Sequence, residues 1–288
     1  MAESQYIQWF PGHMTKTLRQ MKKDIELVDA VVEIIDARIP ASSRNPDLPE
    51  IVGNKPVLIL LNKCDMADSA VTKEWIDYFK SKNIFALEVD CKTGKGLEQF
   101  KTTVKKILEP KLIAYREKGM AGKALRVMVA GIPNVGKSTF INRIAGVNKA
   151  NAENRPGVTR GNQWFTADKN LELLDTPGVL WPRFSNNTIG EHLAFTGAVK
   201  DSVIDIEWLA VRLIEILSVS YKNELISRYG ELDFTCEPYE ILEQIAIKRG
   251  MKIRGGEPDT LRAANILIEE FRNKKIGNIS LERVGDFA

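Results

Sequence analysis

The chain has 288 residues, 44% of them hydrophobic and 27% charged, the composition of an ordinary globular protein of about two domains. Its 41 Lys and Arg against 38 Asp and Glu exclude a polycation that coats nucleic acid by charge alone. Residues 1–183 hold 28 basic against 21 acidic residues and residues 184–288 hold 13 against 17, so any basic surface must be local.

Along the chain, Met14 to Leu27 has apolar residues at 14, 18, 21 and 25 with Lys16, Arg19, Lys22 and Lys23 between them, which predicts an amphipathic basic helix. Residues 28–36 (VDAVVEIID) and 56–61 (PVLILL) read as buried strands, 71–82 as a helix, 84–89 as a short strand and 97–108 as a helix. LRVMVAG, from Leu125, predicts a buried parallel strand followed by a Gly-rich turn and a helix. Residues 162–166 and 171–174 read as two further strands. From Asp205 the pattern is helical only, over 206–217, 239–248 and 261–272, with Pro238 and Pro258 expected at helix starts. His192 falls in a helical stretch and reads as structural. The alternation of strands and helices predicts an α/β fold, a mainly parallel sheet with helices on both faces, followed by a small all-α domain. The expected boundary divides residues 1–183 from 184–288.

No apolar signal core or Arg-rich transit peptide marks the first residues, and the apolar run Val57–Leu61 is too short to span a bilayer. The expectation is a cytoplasmic chain with no membrane partner. Cys64, Cys91 and Cys236 are scattered and lack CxxC spacing, against a disulfide scaffold or a zinc module.

Residues 131–138, GIPNVGKS, match GxxxxGK[ST] between a predicted strand and a predicted helix. A glycine-rich turn lets successive backbone N–H groups converge on phosphate oxygens, and the helix adds its positive dipole end. The candidate nucleotide residues are Asn134, Val135, Gly136, Lys137, Ser138 and Thr139. Lys137 would neutralise the β- and γ-phosphates and Ser138 would ligate Mg²⁺. Residues 175–178, DTPG, follow another strand; Asp175 would hold Mg²⁺ through water and Gly178 would offer its N–H to a γ-phosphate. Residues 62–65, NKCD, supply Asn62, Lys63 and Asp65. A carboxylate there accepts from both guanine N1–H and the exocyclic amine, a donor pair adenine lacks, so GTP and GDP are the expected ligands. Asp90-Cys91-Lys92 stands where GTPases carry a Ser-Ala-Lys loop that meets guanine O6, with Asp90 in place of Ser.

The order is anomalous, because the guanine motif precedes the phosphate loop. A site is a spatial object, and termini of compact domains often lie close together, so permutation can preserve it. The chain resembles circularly permuted GTPases of the YlqF type, the ribosome biogenesis GTPase A family. The matching stretches are IQWFPGHM (7–14), DARIPxSSRNP (36–46), NKPxxxLLNKxD (54–65), GIPNVGKST (131–139), RPGVT (155–159), LELLDTPGxLWP (171–182) and TGAxKDS (196–202). The resemblance implies a GTPase that assembles the large ribosomal subunit, contacts rRNA and ribosomal proteins, acts late and leaves on hydrolysis, with a low intrinsic rate that the subunit stimulates. The alternative is a nucleotide-gated binding module for another RNA or protein, with incidental hydrolysis. A monomer without DNA-binding activity is expected.

Val179 occupies the place of the water-orienting Gln of Ras-like enzymes and cannot hydrogen-bond. The resemblance implicates His13 as a catalytic group that swings in; equally, His13 is read as capping the basic helix. It also implicates Asn134 in holding K⁺, against a turn-stabilising role. Thr159, in the RPGVT loop, is the expected switch residue over Mg²⁺ and the γ-phosphate, with Arg155 or Arg160 as a cis arginine or a solvated side chain. Lys248, Arg249, Lys252 and Arg254 form one basic cluster and Arg272, Lys274 and Lys275 a second; each fits RNA phosphates or a solvated helix end. Because DTPG runs through Trp181-Pro182 into the helical region, the GTP state is expected to set that region's pose.

Overall fold

A computed structural model describes residues 12–146, 163–181 and 184–286. Its strands are β1 (Ala30–Asp36), β2 (Val57–Asn62), β3 (Phe85–Val89), β4 (Leu125–Gly131), β5 (Gln163–Asp168) and β6 (Leu171–Asp175). They form one sheet in the order β3-β2-β1-β4-β6-β5. Every pair is parallel except the β5–β6 hairpin. Val, Ile and Leu runs make such strands possible because both sheet faces are covered. All seven positions of β1 are buried, Glu33 included. Burial raises the Glu33 pKa and Arg44 opposes the rise; the Arg44 guanidinium lies 3.0 Å from its carboxylate.

The helices of this part are α1 (His13–Asp24), α2 (Leu48–Val52), α3 (Ser69–Ser81), α4 (Phe100–Ile107), α5 (Glu109–Glu117) and α6 (Lys137–Ala145). Asp68 caps α3 by accepting from the Ala70 and Val71 amides. Val71, Trp75 and Phe79 recur at one-turn spacing on α3 and pack on Ile35, Ile59 and Leu61 of the sheet. The helix expected over 97–108 is a 3₁₀ turn, Leu97–Gln99, followed by α4. The sequence pattern missed α5, whose Pro110 sits in its first turn, where no amide partner is needed.

A second set of helices comprises α7 (Asn187–Phe195), α8 (Ile206–Ser220), α9 (Lys222–Tyr229), α10 (Pro238–Lys248) and α11 (Thr260–Arg272). Helix α8 is central to this set, and α7, α9, α10 and α11 pack on it. Leu209, Leu213, Ile214 and Leu217 of α8 are fully buried. Pro238 opens α10, as expected. Pro258 does not open α11: Asp259 is the cap, and Pro258 pairs with Lys252 across a narrow loop.

The described residues divide into two compact units, 184–281 on the one hand and 12–146, 163–181 and 282–286 on the other. The expectation that 184–288 forms one piece therefore needs correction at its end. Val284 packs against the apolar cluster of α3, β1 and β2, and the Trp75 indole donates to the Glu282 carbonyl at 3.2 Å. Among the described residues no helix is long and apolar enough to cross a membrane.

Candidate functional site

The motif residues collect at the carboxyl ends of the parallel strands, where open α/β sheets bind ligands. Asn62 ends β2, Asp90 follows β3, Gly131 ends β4 and Asp175 ends β6. Strand pairing sets Asn62 opposite both Asp36 and Val89. The motifs therefore meet although the guanine pair comes first in the chain.

Asn62 joins two of these loops. Its Nδ2 donates to the Val135 carbonyl at 2.7 Å, and its Oδ1 accepts from the Cys91 amide at 2.9 Å. Asp65, two residues past Lys63, is half-buried. The loop after β3 is well braced despite its Asp. Asp90 accepts from the Lys92 amide at 2.8 Å, the Thr93 amide at 3.3 Å and the Thr93 hydroxyl at 2.5 Å. Burial pushes the Asp90 pKa up, and these hydrogen bonds outweigh it, so the net shift is downward. Arg143 of α6 donates to the Lys92 carbonyl at 2.6 Å, tying this loop to the helix that starts at Lys137. Cys64 and Cys91 are buried thiols, and burial pushes Cys64 up to about 11.

The phosphate loop needs its glycines for steric reasons. Gly136 has φ +107°, and a Cβ there would run into the Asn62 side-chain amide. Asn134 adopts the left-handed conformation with φ 58°, which Asn tolerates better than most residues. Val135 is buried, while Ser138 and Thr139, in the first turn of α6, are half-buried. A Cβ on Gly178 would lie 2.8 Å from both Lys137 Nζ and Pro133 N, so DTPG approaches the phosphate loop closely. Val179 is buried and its amide donates to the Gly131 carbonyl at 3.4 Å; its side chain supplies no polar atom for a water.

Lys137 and Asp175 carry the electrostatics. The Lys137 ammonium is buried and donates to the Ile132 carbonyl at 2.9 Å and the Gly131 carbonyl at 3.2 Å. Burial lowers its pKa to about 8, against the pull of Asp175. Burial raises Asp175 to about 6, and Lys137 opposes the rise. Among the described residues the buried Asp175 Oδ1 has no hydrogen-bond partner. Such an atom costs about 1–3 kcal/mol or more when charged, and a hydrated cation would satisfy it. The donor chemistry fits a hydrated Mg²⁺, which Ser138 and Asp175 could hold. When bound, the ion would neutralise charge on the β- and γ-phosphates.

Asp36 and Arg38 extend the site beyond the nucleotide motifs through Lys63. Lys63 has φ 61°, and its ammonium lies 2.9 Å from Asp36 Oδ2. Asp36 also receives Arg38 through Nε at 2.9 Å and Nη2 at 2.8 Å. Burial raises the Asp36 pKa, but Arg38 and Lys63 more than reverse this and hold it well below the usual carboxylate range. Asp36 at a strand end, two residues before an Arg, was a sequence signal for this pair, though its link to Lys63 needs the β1–β2 register.

Thr159, Arg155 and Arg160 and the side chain of His13 lie outside the described residues. His192 is buried beside Phe195, with ring centroids 6.4 Å apart. The basic clusters are partly committed elsewhere. Arg249 pairs with Glu270 at 2.8 Å and lies over the Tyr229 ring. Arg272 holds Asp201 and the carbonyls of Ala194 and Phe195. Lys248, Lys252, Arg254, Lys274 and Lys275 are exposed.

A phosphate loop, a guanine motif and an Asp-Gly switch motif at the carboxyl ends of one sheet's strands, met in permuted order, define a P-loop GTPase. The family profile described as "50S ribosome-binding GTPase" matches residues 126–228. The chain is 44% identical over 277 residues to ribosome biogenesis GTPase A of Priestia megaterium, covering 96% of each chain. It is 33% identical over 296 residues to mouse mitochondrial ribosome-associated GTPase 1, covering 96% of this chain and 90% of that one. The GDP-bound structure of YlqF from T. maritima superposes with a TM-score of 0.68 at 29% identity, over 93% of this chain and all of that one. The chain belongs to the ribosome biogenesis GTPase A family. It is an enzyme that hydrolyses GTP to GDP and phosphate.

Proposed function

We propose that this GTPase is an assembly factor for the large ribosomal subunit, acting late in maturation in the cytoplasm and released on hydrolysis. The carrying observation is that Asn62 clamps the phosphate loop and the Cys91 loop together, which builds one guanine-nucleotide site in a chain whose relatives are named for ribosome biogenesis. In this reading Asp65 accepts from the guanine N1–H and amine, Cys91 and Lys92 face O6, and Lys63 borders the base. Val135 to Thr139 cradle the phosphates, with Lys137 on the β- and γ-oxygens and the Gly178 N–H on the γ-phosphate. Ser138, Asp175 and Thr159 hold Mg²⁺.

Val179 leaves the attacking water to another group. His13 is the proposed orienting residue, and K⁺ held by Asn134 the proposed charge on the leaving phosphates. Turnover of the chain and of His13→Ala, each in potassium and in sodium buffer, separates the two. Loss on substitution in both salts assigns the role to His13, and loss in sodium alone assigns it to K⁺. The exposed Lys248, Lys252 and Arg254 are the proposed rRNA contacts. Sedimentation tests the whole reading. The chain is expected to co-migrate with large subunits in GTP and to leave with GDP, with turnover stimulated by the subunit. Co-migration indifferent to nucleotide overturns release on hydrolysis.

A further inference from the structure

We propose that Glu282 is a positioning residue for guanine-nucleotide binding, acting from the far end of the chain through the loop after β1 onto Lys63. This inference rests on the guanine site above and adds to it a residue outside every nucleotide motif.

Glu282 has no exposed surface. Its carboxylate accepts from the Ala41 amide at 2.6 Å and the Ser42 amide at 3.1 and 3.2 Å. Charge-assisted bonds of this kind are about twice as strong as neutral ones. They fix the 41–43 turn, and the next residue passes the constraint on: the Asp36 amide donates to the Ser43 hydroxyl at 3.0 Å, and that hydroxyl donates to the Ile39 carbonyl at 2.7 Å. Asp36 then holds Lys63. Lys63 is a non-glycine residue in the left-handed region, a conformation that persists only where its surroundings impose it. The Asp36 contact is one such constraint. Apart from the covalent step from Ser42 to Ser43, each link is a hydrogen bond or an ion pair between buried or half-buried groups, where low dielectric makes geometry strict.

The placement of Glu282 gives the relay a purpose. It is the first residue of the sheet-containing unit after Phe184–Leu281. Trp75 grips its carbonyl and Val284 is seated in the α3 cluster. Residues 282–286 thus belong to the sheet-containing unit, and their seating bears on the residue next to Asn62.

Calorimetric titration of the full chain with GDP tests this, in Glu282→Gln, Lys63→Ala and the double variant. Glutamine keeps the shape but turns an amide N–H₂ toward backbone donors. Glu282→Gln is expected to weaken GDP about tenfold and to add little once Lys63 is Ala. Arg283→Ala, at an exposed neighbour, leaves affinity unchanged. Unchanged GDP affinity in Glu282→Gln, or a loss fully additive with Lys63→Ala, overturns the proposal, because a structural role alone predicts independence. Should Glu282→Gln fail to fold, Ser43→Ala breaks the middle link and carries the same expectations. Wild-type chain that binds no GDP overturns the guanine-site reading itself, whereas binding by wild type with an indifferent Glu282→Gln overturns only the relay.

Discussion

At the scale of single residues, Asp175 is expensive until something binds. Its folded pKa is about 6 against an ordinary 3.8, so the native state holds the proton more tightly than the unfolded chain. The associated stability is complete below 3.8 and is lost as pH rises through about 6. Nucleotide-free protein should therefore lose thermal stability between pH 4 and pH 7, and the stabilisation by Mg²⁺ and GDP should be larger at pH 7 than at pH 5. Asp175→Asn should flatten this dependence while removing Mg²⁺-dependent turnover; calorimetric melting across pH reads both. Asp65 offers a different test. Replacing the carboxylate by an amide in Asp65→Asn exchanges one acceptor for a donor, which mismatches guanine and matches the second carbonyl of xanthine. GDP affinity should fall about a hundredfold or more, with xanthosine diphosphate binding gained, as competition titration would show.

At the scale of elements, Asn62 and Gly136 form one joint. Asn62→Ala leaves the Val135 carbonyl and the Cys91 amide without these partners and should cost about 3 kcal/mol of stability, together with most nucleotide affinity. Gly136→Ala should fail similarly, since its backbone has φ +107° and its Cβ would meet Asn62. Denaturant titration checks both. The same elements show where sequence reading succeeds. GIPNVGKS is legible because phosphate binding uses consecutive amides, and the strands are legible because both faces are buried. Asp90 was harder: its bracing depends on Thr93, three residues on, rather than on the identity of a Ser. Asp36 with Lys63 and Glu282 with Ala41 are invisible in a linear pattern, because only strand register and chain return bring them together. Helix α9 is illegible in the sequence because only Leu225 and Tyr229 of its eight residues are buried, too few to print a period.

At the scale of the molecule, charge is placed rather than abundant. The unit Phe184–Leu281 spends Arg249 on Glu270 and Arg272 on Asp201, so neither is available as a simple phosphate ligand. Besides Lys274 and Lys275, the loop closed by the Lys252–Pro258 bridge stays exposed. Its tip needs Gly255 and Gly256, with φ +111° and +92°, and it displays Lys252, Ile253 and Arg254. Lys248 ends the preceding α10. The proposed RNA contact therefore predicts a division among the basic residues. Replacing Lys248, Lys252 and Arg254 together by Ala should weaken rRNA binding and reduce the steepness of its salt dependence by about two to three units of log–log slope, with the melting temperature unchanged. Arg249→Ala should instead lower stability, because it strips a partner from Glu270, and leave the slope as it was. Filter binding between low and high salt, paired with thermal melting, separates them. A slope unchanged by the triple substitution would return this loop to plain solvent exposure.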